Sequence, residues 1–496
     1  MKKSFYFLFI LGIAISQNVS DPMLLSGDGS NSQPDIAINN DGHVAVVWVQ
    51  NDGGYNARFA YSTDEGETFS ESYIVNDFPG HVIHIGNSGP KMDIHNNIIH
   101  VIWADQRDGY DDTNIYYSKS SDQGESWSVS VPIGKDAKFN IYPEIKVSDD
   151  GRVHVIYYSY NKRTFNFEDI HYTESTDGGE TFSNPVVASE FSGQEPCDCC
   201  AADIHVLDNG TKMVAFRNNN DNIRDMFSVS IHEGEEEWGD LTQISNDHFE
   251  LNYCPASGPS IDGRESTVIV SYMAPYGDDN RVFVKKSVDY GVTFGDSILI
   301  DVTAGIDVNQ DHPISRISPD GDIHMTWEDT RGNGDIFYGR IPNGESTVTD
   351  LTLLTEESEP NSQKYPRIGI GPDASIYFVW TDYTNGSDVY FSKIQGNFVS
   401  TDETNPFLTN FKLLNNYPNP FNPTTTIRFN TGETNLKTSL RIYDISGRLI
   451  ESIMNENVKT GSHETQWNAS EQVSGVYFVE LMNGSSRQVQ KIILLK

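Results

Sequence analysis

Four eight-residue stretches decide how this chain folds: Ser62–Phe69 reads STDEGETF, Ser120–Trp127 reads SSDQGESW, Ser175–Phe182 reads STDGGETF and Ser287–Phe294 reads SVDYGVTF. All four obey Ser-x-Asp-x-Gly-x-Ser/Thr-aromatic. This is the chemistry of a tight turn, in which an Asp side chain accepts hydrogen bonds from the turn backbone and a glycine takes the left-handed conformation. The closing aromatic packs into the unit's core. Asp64, Asp122, Asp177 and Asp289 are therefore read as architectural, because the turn fully accounts for their carboxylates. Runs such as NIYYS (Asn114–Ser118) and DIHYT (Asp169–Thr173) precede the boxes and alternate as half-buried strands do. Each box thus joins the third and fourth strands of a larger unit.

That unit recurs. Pro34, Pro90, Pro143, Pro196, Pro259, Pro313 and Pro366 fall 53 to 63 residues apart, and each opens a short strand-like run such as PDIAI or PEIKV. A hairpin signal follows at Asp41-Gly42, Asp150-Gly151, Asn209-Gly210, Asp262-Gly263 and Asp320-Gly321. The second strand ends on an aromatic: Trp48, Trp103, Tyr158, Phe216, Tyr272, Trp327 or Trp380. The boxes resemble the Asp-box of the bacterial sialidase (neuraminidase) repeat, and the resemblance spans residues 20–400. Four antiparallel strands repeated radially predict an all-β, seven-bladed β-propeller. The sialidases it resembles have six blades, which makes a six-bladed ring the alternative. The seventh unit lacks a fourth strand, and Asp21–Ser26 (DPMLLS) is the segment expected to supply it.

Both ends read as transport signals. Residues 1–16 carry Lys2 and Lys3 before an apolar run from Phe5 to Ile15, the pattern of a signal peptide. No later run is long and apolar enough for a transmembrane segment in the mature protein. After a linker at 401–413, residues 414–496 change composition. LLNNYPNPFNPTTTIRF, SLRIYDISGRLI and SGVYFVELMNG in that order resemble the type A sorting domain of the type IX secretion system, an immunoglobulin-like β-sandwich. The resemblance implies contact with the type IX machinery and a secreted or outer-surface location. The net charge is −37, and the tail contributes eight basic against seven acidic residues, so the acidity belongs to the propeller. Such a field repels phosphate backbones and excludes nucleic acid as a partner.

In an up-and-down blade the second-to-third-strand loops share one face with the links between blades, opposite the boxes. Those loops hold Tyr55, Tyr110, Tyr160, Tyr276 and Tyr383, with Arg107, Arg163 and Arg331. Aromatic faces stack on sugar C–H groups and guanidinium forks onto carboxylate, so Arg107, Tyr110, Tyr160, Arg331 and Tyr383 are the ligand-binding candidates. Trp103-x-Asp-x-Arg107 and Trp327-x-Asp-x-Arg331 repeat one motif, which also fits an Asp–Arg pair that pins the loop. His100, His154 and His324 share one strand position and read as pairing residues. His81, His84, His248 and His312 lie in the links, with His81-x-x-His84 a weak metal spacing.

Cys197, Cys199 and Cys200 (EPCDCC) and Cys254 lie in two successive links. Export favours two disulfides, but neighbouring Cys199 and Cys200 leave a soft-metal site open, and four cysteines allow three pairings. No cofactor is otherwise required. The resemblance implies, for an enzyme, three arginines on a substrate carboxylate, a Tyr–Glu nucleophile pair and a Phe/Tyr-Arg-Ile-Pro motif. The nearest match, Gly339-Arg340-Ile341-Pro342, follows the third strand of unit six and sits in the wrong element. A glycan- or protein-binding module is therefore the expected function, with a sialidase-like glycoside hydrolase as the alternative and a metal- or redox-linked propeller as a third class. Intact-mass measurement of protein from culture medium should show both residues 1–16 and the tail from about Leu414 missing; retention of both ends would contradict the transport reading.

Overall fold

In a computed structural model the described residues are 19–396 and 412–496, apart from 87, 135–137, 162, 165–166, 190–194, 236, 306, 332–333, 356–361, 432–436, 446–447, 458–460 and 484–485. The predicted signal peptide and most of the predicted linker lie outside them. The chain divides into two compact units, 1–398 and 399–496.

Among the described residues the first unit holds seven four-stranded antiparallel sheets and a single 3-10 turn, Tyr110–Asp112. Their innermost strands are Ser30–Ile38, Lys91–His95, Phe139–Val147, Asp203–Val206, Ser260–Arg264, Gln310–Ile317 and Gln363–Ile370. Each neighbours the next, and Gln363–Ile370 returns to Ser30–Ile38, so the sheets form a closed ring, a β-propeller. Met23–Leu24 is the outer strand of the last sheet, pairing with Phe391 and Tyr390. Ser20 N–H donates to the Lys393 carbonyl at 2.8 Å and Leu25 N–H to Val389 at 2.9 Å. The last sheet is thus built from both ends of the unit.

Two details depart from the sequence reading. The prolines do not simply open the first strands: Pro34, Pro143, Pro313 and Pro366 lie inside them, at breaks in register between Ser32 and Asp35, Ile141 and Glu144, Asp311 and Ile314, and Lys364 and Arg367. A proline has no N–H to give the ladder, so a bulge is where a strand tolerates it. Pro196 lies well before its strand, bridging Asn218. The hairpin glycines Gly42, Gly151, Gly210 and Gly321 have φ near +80° to +87°, but Asp262-Gly263 is inside a strand and its turn falls at Glu265, φ 54°.

The boxes share one hydrogen-bond pattern. Asp64 Oδ1 accepts from Thr68 N–H at 2.9 Å and Ser62 Oγ at 2.8 Å, Oδ2 accepts from Thr68 Oγ1 at 2.6 Å, and Gly66 N–H donates to Ser62 Oγ at 2.8 Å. Asp122, Asp177 and Asp289 repeat it. The Thr68 hydroxyl and N–H hold the Asp64 carboxyl down at about 2. The aromatic does not pack within its own blade as expected. It meets a third-strand ring of the preceding one: Phe69 on Phe391, Trp127 on Phe59 and Phe182 on Tyr117, with centroids 5.0, 5.1 and 5.1 Å apart. A Cβ on Gly66, Gly124 or Gly179 would collide with the same Phe391, Phe59 or Tyr117 ring.

Around the axis, carboxylates stitch four of the seven innermost strands to the next. Asp35 accepts from Met92 N–H, Asp93 from Val147, Asp203 from Ile261 and Asp262 from Ile317, at 2.7 to 3.0 Å. Lys146 pairs with Asp93 (3.4 Å), His205 with Asp262 (3.2 Å), Arg367 with Asp35 (3.6 Å), and Lys91 with Glu144. Farther out, His43, His100, His154 and His324 each meet a third-strand tyrosine hydroxyl through Nδ1, at 2.7 to 2.9 Å.

The second unit has two sheets, one of three strands (Lys412–Tyr417, Thr424–Thr431, Gly461–Asn468) and one of four (Lys437–Asp444, Leu449–Asn457, Gly475–Asn483, Ser486–Leu494). They close on a core that includes Phe421, Phe429, Leu440, Trp467, Val479 and Ile492. Its first strand already contains Lys412 and Leu413.

Deleting residues 21–30 should lower the melting temperature clearly, because the last sheet loses its outer strand and exposes an edge; an unchanged melting curve would refute closure by this segment. Burial holds His100, His154 and His324 near 4, below the ordinary histidine value of 6.5. The unfolded chain therefore takes up protons first, and stability present above pH 6.5 should be lost as pH falls toward 4, by about 3 kcal/mol per histidine. Chemical denaturation at pH 7 and pH 5 measures this, and His324→Gln should flatten the dependence.

Candidate functional site

The bulges that house the prolines set up the mouth opposite the boxes. The residue before each proline, Gln33, Tyr142, His312 or Tyr365, has φ between 49° and 56°, a left-handed backbone that non-glycine residues seldom adopt. Each bulge places two residues opposite one on the second strand: Trp48, Tyr157, Trp327 or Trp380, all buried. The buried ring supports the bulge, and the bulge turns the pre-proline side chain out of the strand's alternation. The backbone device repeats while the residue it presents changes, from Gln to Tyr to His to Tyr.

Two clusters result. In the first, His312 Nδ1 lies 3.3 Å from Glu328 Oε1 and 3.8 Å from Asp311 Oδ2, and its Nε2 meets the Ala256 carbonyl at 3.1 Å. Burial opposes the imidazolium, but the two carboxylates outweigh it and raise its pKa to about 10, so His312 is a cation at neutral pH. Glu328 also accepts from the Tyr365 N–H at 2.8 Å, and the Tyr365 ring stands edge-on to His312. Tyr383 is half-buried nearby, its phenol pushed up to about 12 by burial and by Tyr365 and Glu328. In the second cluster, Tyr142 packs on Tyr158, Phe139 on Tyr160, and exposed Tyr110 on Phe139.

The sequence-based candidates divide. Tyr110 and Tyr383 present ring surface at this mouth. Tyr160 does not: it is 7% exposed and its hydroxyl donates to the Asp198 carbonyl. Arg107 forks onto both oxygens of Asp105, reaches Asp77 at 3.2 Å, and lies 3.9 Å from the Tyr116 ring centroid. Arg331 does the same with Asp329, Asp301 and Phe337. Both guanidinium groups are loop pins in this arrangement. Arg163 is exposed, and Tyr55 stacks on His84, which bonds Ser32. Arg340 of the Gly-Arg-Ile-Pro stretch pairs with Asp322 and Asp350. Gln33, Tyr142 and Tyr365 escaped the sequence reading; the signal for them was the residue before each repeat proline.

Between the clusters lie the cysteines. Cys199 is bridged to Cys254, while Cys197 and Cys200 are buried thiols. One disulfide therefore forms where two were expected, since Cys197 is held toward Arg224, whose Nη1 donates to its Sγ at 3.0 Å. The Cys200 hydrogen bond, with Arg224 and Arg217 nearby, lowers the Cys197 thiol to about 7. Burial pushes Cys200 up.

A cavity of about 790 Å³ opens on the opposite, hairpin side, lined by Asp93, Lys146, Asp150, Arg152, His205 and Asp262 among others. Its charges pair with one another: Lys146 with Asp93, His205 with Asp262 and Arg152 with Asp150. The pre-proline bulges and the partly exposed Tyr110, Tyr365 and Tyr383 rings are on the other side.

Among solved structures, the chain is similar to a protein of unknown function from Dyadobacter fermentans (11% identity, TM-score 0.48, covering 76% of this chain and 98% of that one). It is similar as well to NanB sialidase from Streptococcus pneumoniae (13%, 0.42, 75% and 70%) and to an alpha-L-arabinanase from Penicillium chrysogenum (13%, 0.44, 77% and 100%). No curated protein matches the sequence. Among the described residues no helix is long and apolar enough to cross a membrane. Residues 415–495 match the secretion system C-terminal sorting domain, which directs a protein through type IX secretion to release or to the cell surface.

Proposed function

We propose that this exported propeller is a carbohydrate-binding module whose ligand docks at the bulge-side mouth, against Tyr365 and Tyr383, with His312 and Glu328 holding Tyr365 in place. Tyr110, exposed on the same face, forms a second contact, with Tyr142 buried beneath it. The observation that carries this reading is the left-handed residue before four of the seven repeat prolines: one backbone kink recurs in four blades with Gln33, Tyr142, His312 or Tyr365 at it, so the kink is kept while the side chain is not. Rings that keep partly exposed faces stack on sugar C–H surfaces.

Hydrolysis of sialosides is less well supported. Arg107 and Arg331 are committed to aspartates, and Glu328 is committed to His312 and the Tyr365 N–H, so its carboxyl is held below the usual range rather than poised as a base. Neither an arginine trio nor an activated Tyr–Glu pair assembles among the described residues of this mouth.

Screening the purified protein against neutral, sialylated and sulfated oligosaccharides should find a binder that Tyr365→Ala weakens about tenfold, the loss of one aromatic contact, with the melting temperature unchanged. Arg331→Ala should instead lower the melting temperature, since it leaves Asp301 and Asp329 buried without a cation. A fluorogenic sialoside assay should show little or no turnover; robust hydrolysis sensitive to Tyr365 or Glu328 substitution would replace the binding module with an enzyme.

A further inference from the structure

We infer that the four cysteines, in their reduced form, are a binding site for one divalent metal ion of the zinc class. The cluster stands apart from the glycan-binding reading and does not depend on it. Three observations carry the inference.

The first is geometry. The Sγ atoms of Cys197, Cys199, Cys200 and Cys254 all lie within 4.8 Å of one another, and Cys197 Sγ is 3.8 Å from Cys199 Sγ. Zinc–sulfur bonds of about 2.3 Å set neighbouring sulfurs of a tetrahedron about 3.8 Å apart. Cys197 and Cys199 already stand at that spacing, and reduction frees the Cys199 and Cys254 sulfurs to part to it.

The second is charge. Arg217 and Arg224 are almost fully buried beside the sulfurs, 1% and 5% exposed. Arg217 donates to the carbonyls of Ser257, Arg224 and Met273, and Arg224 to the Leu251 carbonyl and Cys197 Sγ. Neither forms an ion pair with a carboxylate among the described residues. Two buried cations need anions. Four thiolates around a divalent ion carry two negative charges, which matches two guanidinium groups. Two disulfides would supply none, and a monovalent ion would leave an excess negative charge.

The third is a rigid frame. Cys197 N–H donates to the Arg217 carbonyl at 2.7 Å, and the Cys200 carbonyl accepts from the buried Tyr158 hydroxyl at 2.6 Å. The link carrying Cys254 is brought alongside through Ser257, and Gly258 packs so closely on the Ala201 carbonyl that no side chain would fit. Cys254 is exposed and opens a path for the ion, while Cys197 and Cys200 form the buried floor.

The Cys199–Cys254 bridge is the competing oxidised state. Reaching the metal state from it takes two electrons and two protons from an external dithiol, which leaves as its own disulfide. The ion then displaces the thiol protons.

The test is a cobalt(II) titration of the full chain, reduced with a phosphine under anaerobic conditions. One equivalent should produce the visible bands of tetrahedral sulfur-bound cobalt, zinc should displace them, and the zinc-loaded protein should melt higher than the metal-free one. Cys197→Ser and Cys254→Ser should each abolish or shift the bands, and Arg224→Met should weaken zinc at least tenfold. If the wild-type chain gives only the spectrum of hydrated cobalt, or if the bands persist unchanged in both serine variants, the site does not exist. The wild-type titration decides the matter even where a variant fails to fold.

Discussion

Blade-to-blade contact through the box turns is the constraint on which the ring depends. Asp64, Asp122 and Asp177 fix the turn, but what the turn delivers is a glycine and an aromatic pressed on the ring of the blade before it. A single sheet of this kind cannot bury its own faces; only its neighbour can. The carboxylates of Asp35, Asp93, Asp203 and Asp262 do the same near the axis, each accepting the N–H that an innermost strand would otherwise leave unpaired beside the next. Closure then follows from Met23–Leu24, which joins the start of the unit to its last sheet.

This division of labour frees the opposite face. The boxes and the buried His–Tyr pairs hold the hairpin side rigid, so the backbone strain of the pre-proline bulges is borne by structure that is already fixed. Trp48, Trp327 and Trp380 are consumed in that support, each fully buried opposite a bulge. The rings left with exposed surface at the mouth are therefore tyrosines, Tyr110, Tyr365 and Tyr383.

Charge is arranged by the same logic. The surface carries the net charge of −37, whereas the axis pairs its acids with Lys91, Lys146, His205 and Arg367. Desolvated carboxylates would repel one another across the narrow channel without those partners. His312, whose imidazolium is favoured by Asp311 and Glu328, lies off this network at the mouth.

Sequence alone determined the repeat, the four-strand unit, the box turns, the contribution of the N-terminal segment and the sorting domain, because each rests on spacing and local turn chemistry that a linear pattern records. It also placed His100, His154 and His324 as pairing residues, though their tyrosine partners were not visible. The repeated Trp-x-Asp-x-Arg motif already offered Asp–Arg pins for Arg107 and Arg331, but only the tertiary structure brought Asp77 and Asp301 to them, buried Tyr160 and joined Cys199 to Cys254. It likewise brought Glu328, from one blade's second strand, to His312 and Tyr365 on two different first strands. The long-range contacts among these join residues far apart in the chain, and the meeting of Glu328 with His312 and Tyr365 depends on strand register and on a two-residue bulge. A proline in the sequence marks where such a bulge is tolerated, but the side chain it turns toward the mouth is fixed only when the neighbouring blades have packed.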